Sequence, residues 1–147
     1  MNNNEVISIL SGLVESCRRG QEAFRGAAEG IRNSEFRRLF NIFAQQRTQF
    51  MSELLAEIHR LGGDAGKGAT TTARADNTVP FRRPAAPEIR DEAAIIAECQ
   101  REEEMAVNDY QEALKADLPL DVQYVVKRQY MDIKDAYDRI RILQRAA

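Results

Sequence analysis

The chain has 147 residues, 44% of them hydrophobic and 30% charged, with a formal charge of −2. That is enough chain to bury one core without disulfide or metal staples. The near-neutral charge offers no basic footprint for nucleic acid, and no apolar run is long enough to span a bilayer. Trp is absent and Gly and Pro are few, which suits long helices better than a sandwich or barrel. The opening Met-Asn-Asn-Asn-Glu has neither a basic n-region nor an apolar h-region, so no secretory leader is expected. Cys17 and Cys99 read as small buried hydrophobes of a reducing cytosol, with a disulfide or redox pair as the other option. The expectation is a cytoplasmic protein with one domain over residues 1–147.

The first predicted helix spans about residues 4–32, after Asn2 to Asn4 as a cap. Val6, Leu10, Leu13, Cys17, Phe24, Ala28 and Ile31 share a face there. Gly20 permits close approach of a neighbour, and Gln21 falls near the buried side. Ser34 is the expected cap of a second helix over 35–61, whose face is Phe43, Phe50, Leu54, Ile58 and Leu61. Gly62 and Gly63 supply its left-handed stop. So short a break between the two helices requires them to be antiparallel.

Residues 62–87 are small and polar without a period, a long crossover with Val79-Pro80-Phe81 as its one apolar anchor. An extended chain covers about twice the rise per residue of a helix, so this segment can travel a helix length and leave helices two and three parallel. A third helix is predicted over 88–116, with Ile89, Ala93, Ile96, Cys99, Ala106, Tyr110 and Ala113 on one face. Pro119 ends it, and Asp121 is the expected cap of a fourth over 121–145. That one carries Val122, Val126, Tyr130, Ile133, Tyr137, Ile140 and Leu143. No stretch alternates apolar and polar as a strand would. The fold class is all-α: two antiparallel helical hairpins joined by a long crossover.

Arg47 is out of place on a core face, because a buried guanidinium is costly unless it finds a carboxylate. Each helix offers a polar group near its midpoint. With aligned midpoints, Gln21, Arg47, Glu103, Tyr110, Tyr130 and Tyr137 form one buried layer, with Arg47 and Glu103 as its ion pair. The other reading is that Arg47 snorkels and Glu103 is solvated. A further stripe, Ile7, Val14, Phe40, Met51, Leu55 and Ile58, is surplus to one face per helix. Either it marks a homodimer contact or it fills a wide face in the same bundle.

Several stretches carry a family resemblance. They are Cys17 to Ala28 (Cys-Arg-Arg-Gly-Gln-Glu-Ala-Phe-Arg-Gly-Ala-Ala), Gln45-Gln46-Arg47 and Arg60-Leu61-Gly62-Gly63-Asp64. Tyr110-Gln-Glu-Ala-Leu114, Leu118-Pro119, Arg128-Gln129-Tyr130 and Asp138-Arg139-Ile140-Arg141 join them. In this order the chain resembles the bacterial ferritin-like four-helix-bundle family of unknown function related to YciF-like stress proteins. The resemblance implies a rubrerythrin-like bundle, a cytoplasmic setting and dimers. It also suggests an acid where this chain has Gln21 and a His where it has Tyr137.

A ferritin-type di-iron site takes a Glu from each of two helices and Glu-x-x-His from each of the other two. The core-facing frames here read Arg47-Thr-Gln-Phe50 and Lys134-Asp-Ala-Tyr137, without Glu or His, and the one histidine, His59, sits near a helix end. The expectation is a non-catalytic bundle with no metal and no cofactor. Its degenerate site is filled by the Arg–Glu layer, and it acts in a stress response by self-association as a homodimer or by binding a protein partner, with no nucleic acid and no membrane. The alternative is a metal-binding or oxidoreductase protein whose site has shifted to Glu98, Glu102, Glu103, Asp109, Asp132 and Asp135. A solvated charged face is the plainer reading of those acids.

Overall fold

The computed structural model describes residues 1–63 and 91–146. Four helices hold nearly all of them: α1 Asn3–Gly30, α2 Ser34–Arg60, α3 Glu92–Leu114 and α4 Leu120–Ala146. No strand occurs among the described residues. The expected crossover, from residue 64 on, lies outside the described residues, as do Val79-Pro80-Phe81 and Ile89.

The helix ends follow from local chemistry. Asn2 caps α1 in a reciprocal box: its side chain accepts from the Glu5 amide at 2.9 Å, while the Glu5 carboxylate accepts from the Asn2 amide at 3.2 Å. Asn33, rather than Ser34, caps α2, accepting from the Glu35 and Phe36 amides. The tight turn is held by Arg37, which donates back to the carbonyls of Ala28 and Ile31 at 3.1 and 2.7 Å. Asp91 caps α3. Asp121 lies inside the first turn of α4 rather than before it. At the end of α2, Gly62 takes φ +88° and the amides of Gly62 and Gly63 close on the carbonyls of His59 and Ile58. A side chain on Gly63 would meet Ile58 Cγ2 at 2.8 Å, so the second glycine answers a close approach, not a torsion.

The principal contacts run between α1 and α2, α3 and α4, α1 and α3, and α2 and α4. This places α2 and α3 across a diagonal. The core forms two clusters. One joins Val6, Leu10 and Leu13 of α1 to Leu54 and Ile58 of α2, Ala113 of α3 and Val122 of α4. The other joins Phe24 and Ile31 to Phe40 and Phe43, Ile95 and Ile96, and Ile140. The start of α1 therefore lies with the end of α2, the end of α3 and the start of α4. Helices α2 and α3 run in the same direction, as the length of the segment between them allows.

Part of the surplus stripe is spent within the bundle. Phe40 and Ile58 are fully buried core residues of a single chain, and Ile7, Val14, Met51 and Leu55 are half-buried against the first cluster. With Phe40 and Ile58 spent internally and the other four packed at the α1–α2 seam, these six do not form a free outward face.

Candidate functional site

Each helix carries an inward series spaced alternately by three and four residues, the repeat of helices packed at a shallow angle. In α1 the buried members are Val6, Leu10, Leu13, Cys17, Gly20, Phe24 and Ala27. In α2 they are Phe40, Phe43, Arg47, Phe50 and Leu54. In α3 they are Ile96, Cys99, Glu103, Ala106, Tyr110 and Ala113. In α4 they are Val122, Val126, Gln129, Ile133, Ala136 and Ile140. Arg47 is the central residue of α2 and Glu103 of α3, so both fall at the waist between the two core clusters.

Both charges are completely enclosed, at 0% exposure, and Arg47 Nη2 donates to Glu103 Oε2 across the bundle diagonal. The guanidinium lies 5.3 Å from the centre of the Phe24 ring. Its other edge rests on Gly20, where a β-carbon would come within 2.8 Å of Arg47 Nη1. Gly20 is thus the notch that admits the arginine. Among the described residues Arg47 Nε and Nη1 and Glu103 Oε1 have no hydrogen-bond partner. Burial pushes the Glu103 carboxyl above its ordinary range, against the pull of Arg47.

Beside the pair runs a relay that touches all four helices. Tyr110 Oη donates to Gln129 Oε1 at 2.7 Å. Gln129 Nε2 donates to Glu53 Oε1 at 2.9 Å and to the Phe50 carbonyl at 3.3 Å. Cys17 Sγ lies 3.2 Å from Tyr110 Oη. Since the tyrosine hydrogen is used on Gln129, the thiol is the donor there. Arg128 closes the outer end on Glu53 Oε1 at 2.8 Å. Burial pushes the Cys17 thiol up to about 11 and lifts the Tyr110 hydroxyl well above its usual value, so both stay neutral. At Glu53 burial also opposes the charge, but hydrogen bonds from Gln129, Arg128 and Gln49 outweigh it and hold the carboxyl low.

Three of the expected layer residues lie elsewhere. Gln21 is half-buried at the α1–α2 edge and donates to Thr48 Oγ1 at 2.7 Å, because Gly20 holds the inward position next to it. Tyr130 and Tyr137 are half-buried on the α3–α4 seam, where Tyr130 accepts from Gln111 at 3.0 Å and Tyr137 donates to Glu104 at 3.1 Å. Gln129 and Ala136 point inward in their place. Gln129 and Glu53 were not among the expected residues. The strict three–four spacing of Val122, Val126, Gln129 and Ile133 was the signal for the first; for Glu53, a half-exposed acid, no comparable signal exists.

The waist does not suit a di-iron centre. Such a site takes four or more carboxylates with two imidazoles, whereas here a single enclosed carboxylate is already paired with a guanidinium. The acids of the shifted alternative disperse. Glu102 and Asp109 flank Arg19 at 3.6 and 3.2 Å, Asp135 pairs with Arg139 at 3.2 Å, and Asp132 is exposed. No group of three or more His, Cys, Asp or Glu able to hold a metal ion occurs among the described residues. Among the described residues no helix is long and apolar enough to cross a membrane. His59 is exposed near the end of α2.

No curated protein matches the sequence. Among solved structures, the chain is similar to a two-domain protein from Anabaena variabilis that contains DJ-1/ThiJ/PfpI-like and ferritin-like domains. The TM-score is 0.84 at 16% identity, over 99% of this chain and 40% of that one, so this chain spans less than half the length of that protein. The likeness carries the ferritin-like fold. A family model described as a domain of unknown function, DUF2383, matches residues 5–116, which covers α1 to α3 and stops before α4. The chain is an all-α, ferritin-like four-helix bundle that belongs to the DUF2383 family.

Proposed function

We propose that the protein is a non-catalytic helical bundle that works by contact, through self-association or a protein partner, and that an internal cation stands where ferritin-like relatives hold metal. The observation that carries this reading is Arg47, enclosed at 0% exposure against Glu103 at the bundle waist. An arginine is permanently charged, so it offsets the Glu103 carboxylate without a metal ion at every physiological pH. The thiol and phenol beside it are both held neutral by burial, which leaves no activated nucleophile or base at the waist. In the Anabaena variabilis protein a ferritin-like domain shares its chain with a second domain, in keeping with a bundle that acts against another protein. A single domain over residues 1–147, a cytoplasmic setting and a stress-related role complete the proposal; setting and role rest on the resemblance to YciF-like stress proteins.

The test is direct. The untagged protein is exposed to ferrous iron and oxygen, then analysed for bound metal and peroxide consumption. The expected result is no stoichiometric iron and no turnover. One or two tightly held ions per chain, with peroxide consumed, would overturn the reading.

A further inference from the structure

The enclosed polar contacts at the waist join one helical hairpin to the other. Arg47 of α2 reaches Glu103 of α3, and Cys17 of α1 meets Tyr110 of α3. Gln129 of α4 donates to Glu53 and to the Phe50 carbonyl of α2. Within each hairpin a short turn sets the register, residues 31–33 in the first and 115–119 in the second. Nothing comparable ties the two hairpins together. The connection over residues 64–90, if extended, reaches about twice the length of α2. How far along the first hairpin the second one sits is therefore left to the packed surfaces.

We infer that the Arg47–Glu103 pair sets this register. On either side of it the inward residues are alike in kind. They include Phe40, Phe43, Phe50 and Leu54 on α2, and Ile96, Cys99, Ala106 and Tyr110 on α3. A slide of the second hairpin by one turn sets Arg47 against Cys99 or Ala106, and by two turns against Ile96 or Tyr110. After one turn Glu103 meets Phe43 or Phe50. None of these carries a charge, so both ions lie unpaired inside the bundle. That disfavours the slipped state by about a hundredfold or more. Apolar packing resists a slide less sharply, because cores of roughly the right volume lose uniqueness before they lose stability.

The other ties between the hairpins hold register less firmly. Arg19 with Glu102 and Asp109, Arg60 with Asp121, and Arg128 with Glu53 all keep part of their side chains in solvent. Water replaces such pairs at little cost. In the relay Cys17, Tyr110 and Gln129 are neutral, and Glu53 lies at its open end. Breaking it forfeits hydrogen bonds but encloses no lone ion. Arg47 is also seated on Gly20, in its own hairpin, where a β-carbon would come within 2.8 Å of Nη1. That seat keeps the guanidinium at the waist, so it does not follow a displaced Glu103.

The test is a distance between the hairpins, read by pulsed electron spin resonance on the full chain. Ser52 of α2 and Ala94 of α3 are exposed and stand at different levels of the bundle, so their separation reports a slide. Spin labels go on Ser52→Cys and Ala94→Cys, while the buried Cys17 and Cys99 stay unlabelled. With the native waist a single distance is expected. Arg47→Met with Glu103→Leu keeps a cooperative urea transition but adds a second distance, displaced by about 3–7 Å, for a slide of one or two turns. Tyr110→Phe breaks the relay, spares the pair and keeps the single distance. Should the first double variant not fold, Arg47→Met with Glu103→Gln takes its place and is expected to show the same second distance. A single native distance in the folded double variant overturns the inference. So does a second distance in Tyr110→Phe, which would assign the register to the relay.

Discussion

At the scale of single residues, the waist is decided by three neighbours: Arg47, Glu103 and Gly20. A buried ion pair stabilises little in net terms, since desolvation of both groups offsets their attraction. Here three of its polar atoms also go without protein partners. Removing one partner is another matter. Arg47→Ala and Glu103→Ala should each lower stability by about 3–5 kcal/mol, because each strands the opposite charge. Arg47→Met with Glu103→Leu should be neutral or gain up to about 4 kcal/mol. Urea unfolding of the three variants checks this, and additive losses in the double variant would show that the two groups do not act as a pair. Gly20→Ala separates propensity from packing. Alanine is worth about 1 kcal/mol over glycine in a helix, but its β-carbon would press on Arg47 Nη1. The expected result is a net loss of about 1–2 kcal/mol, turning to a gain once Arg47 is methionine. The charged pair was legible in the sequence, because a single arginine among Phe43, Phe50 and Leu54 has few alternatives to a carboxylate. Gln21 was misassigned because it adjoins Gly20 by one position, and a single step of 100° moves a side chain from core to edge.

At the scale of elements, the helices were legible from composition and period, and their caps from residue type. The finer orientation of α4 was not. Its tyrosines are large and amphipathic, so they suit a seam as well as a core. Only the regular spacing of Val122, Val126, Gln129, Ile133, Ala136 and Ile140 favours the small and polar residues for the inside. The end of α2 makes a cleaner prediction. Gly62 sits at φ +88° with open space where a β-carbon would go. Gly62→Ala should therefore cost about 1 kcal/mol of backbone strain alone. Gly63→Ala should cost more, since its β-carbon clashes with Ile58. Thermal melts of the two variants rank them, and equal losses would mean that the contact with Ile58 is easily relieved.

At the scale of the whole molecule, the relay from Cys17 through Tyr110 and Gln129 to Glu53 ties all four helices at one level, and the carboxyl at its outer end is held below its ordinary range. Glu53 binds its proton less tightly in the folded chain than in the unfolded one. Its contribution to stability is therefore full above the unfolded value of about 4.3 and is lost as pH falls through the lower folded value. Stability measured from pH 6 down to pH 3, on about that span, should fall less steeply in Glu53→Gln than in wild type; parallel curves would mean that the carboxylate carries none of the acid sensitivity. By itself the sequence determined the all-α class, the two hairpins and the pairing of Arg47 with Glu103. These depend on period, caps and the cost of an unpaired buried charge, all of which are local or nearly so. Only the tertiary structure decided that Gly20 rather than Gln21 faces the arginine, that Gln129 completes a relay, and that Phe40 and Ile58 are spent in the core. Those outcomes turn on the rotation of each helix about its own axis, which is set by its neighbours and not by its own residues.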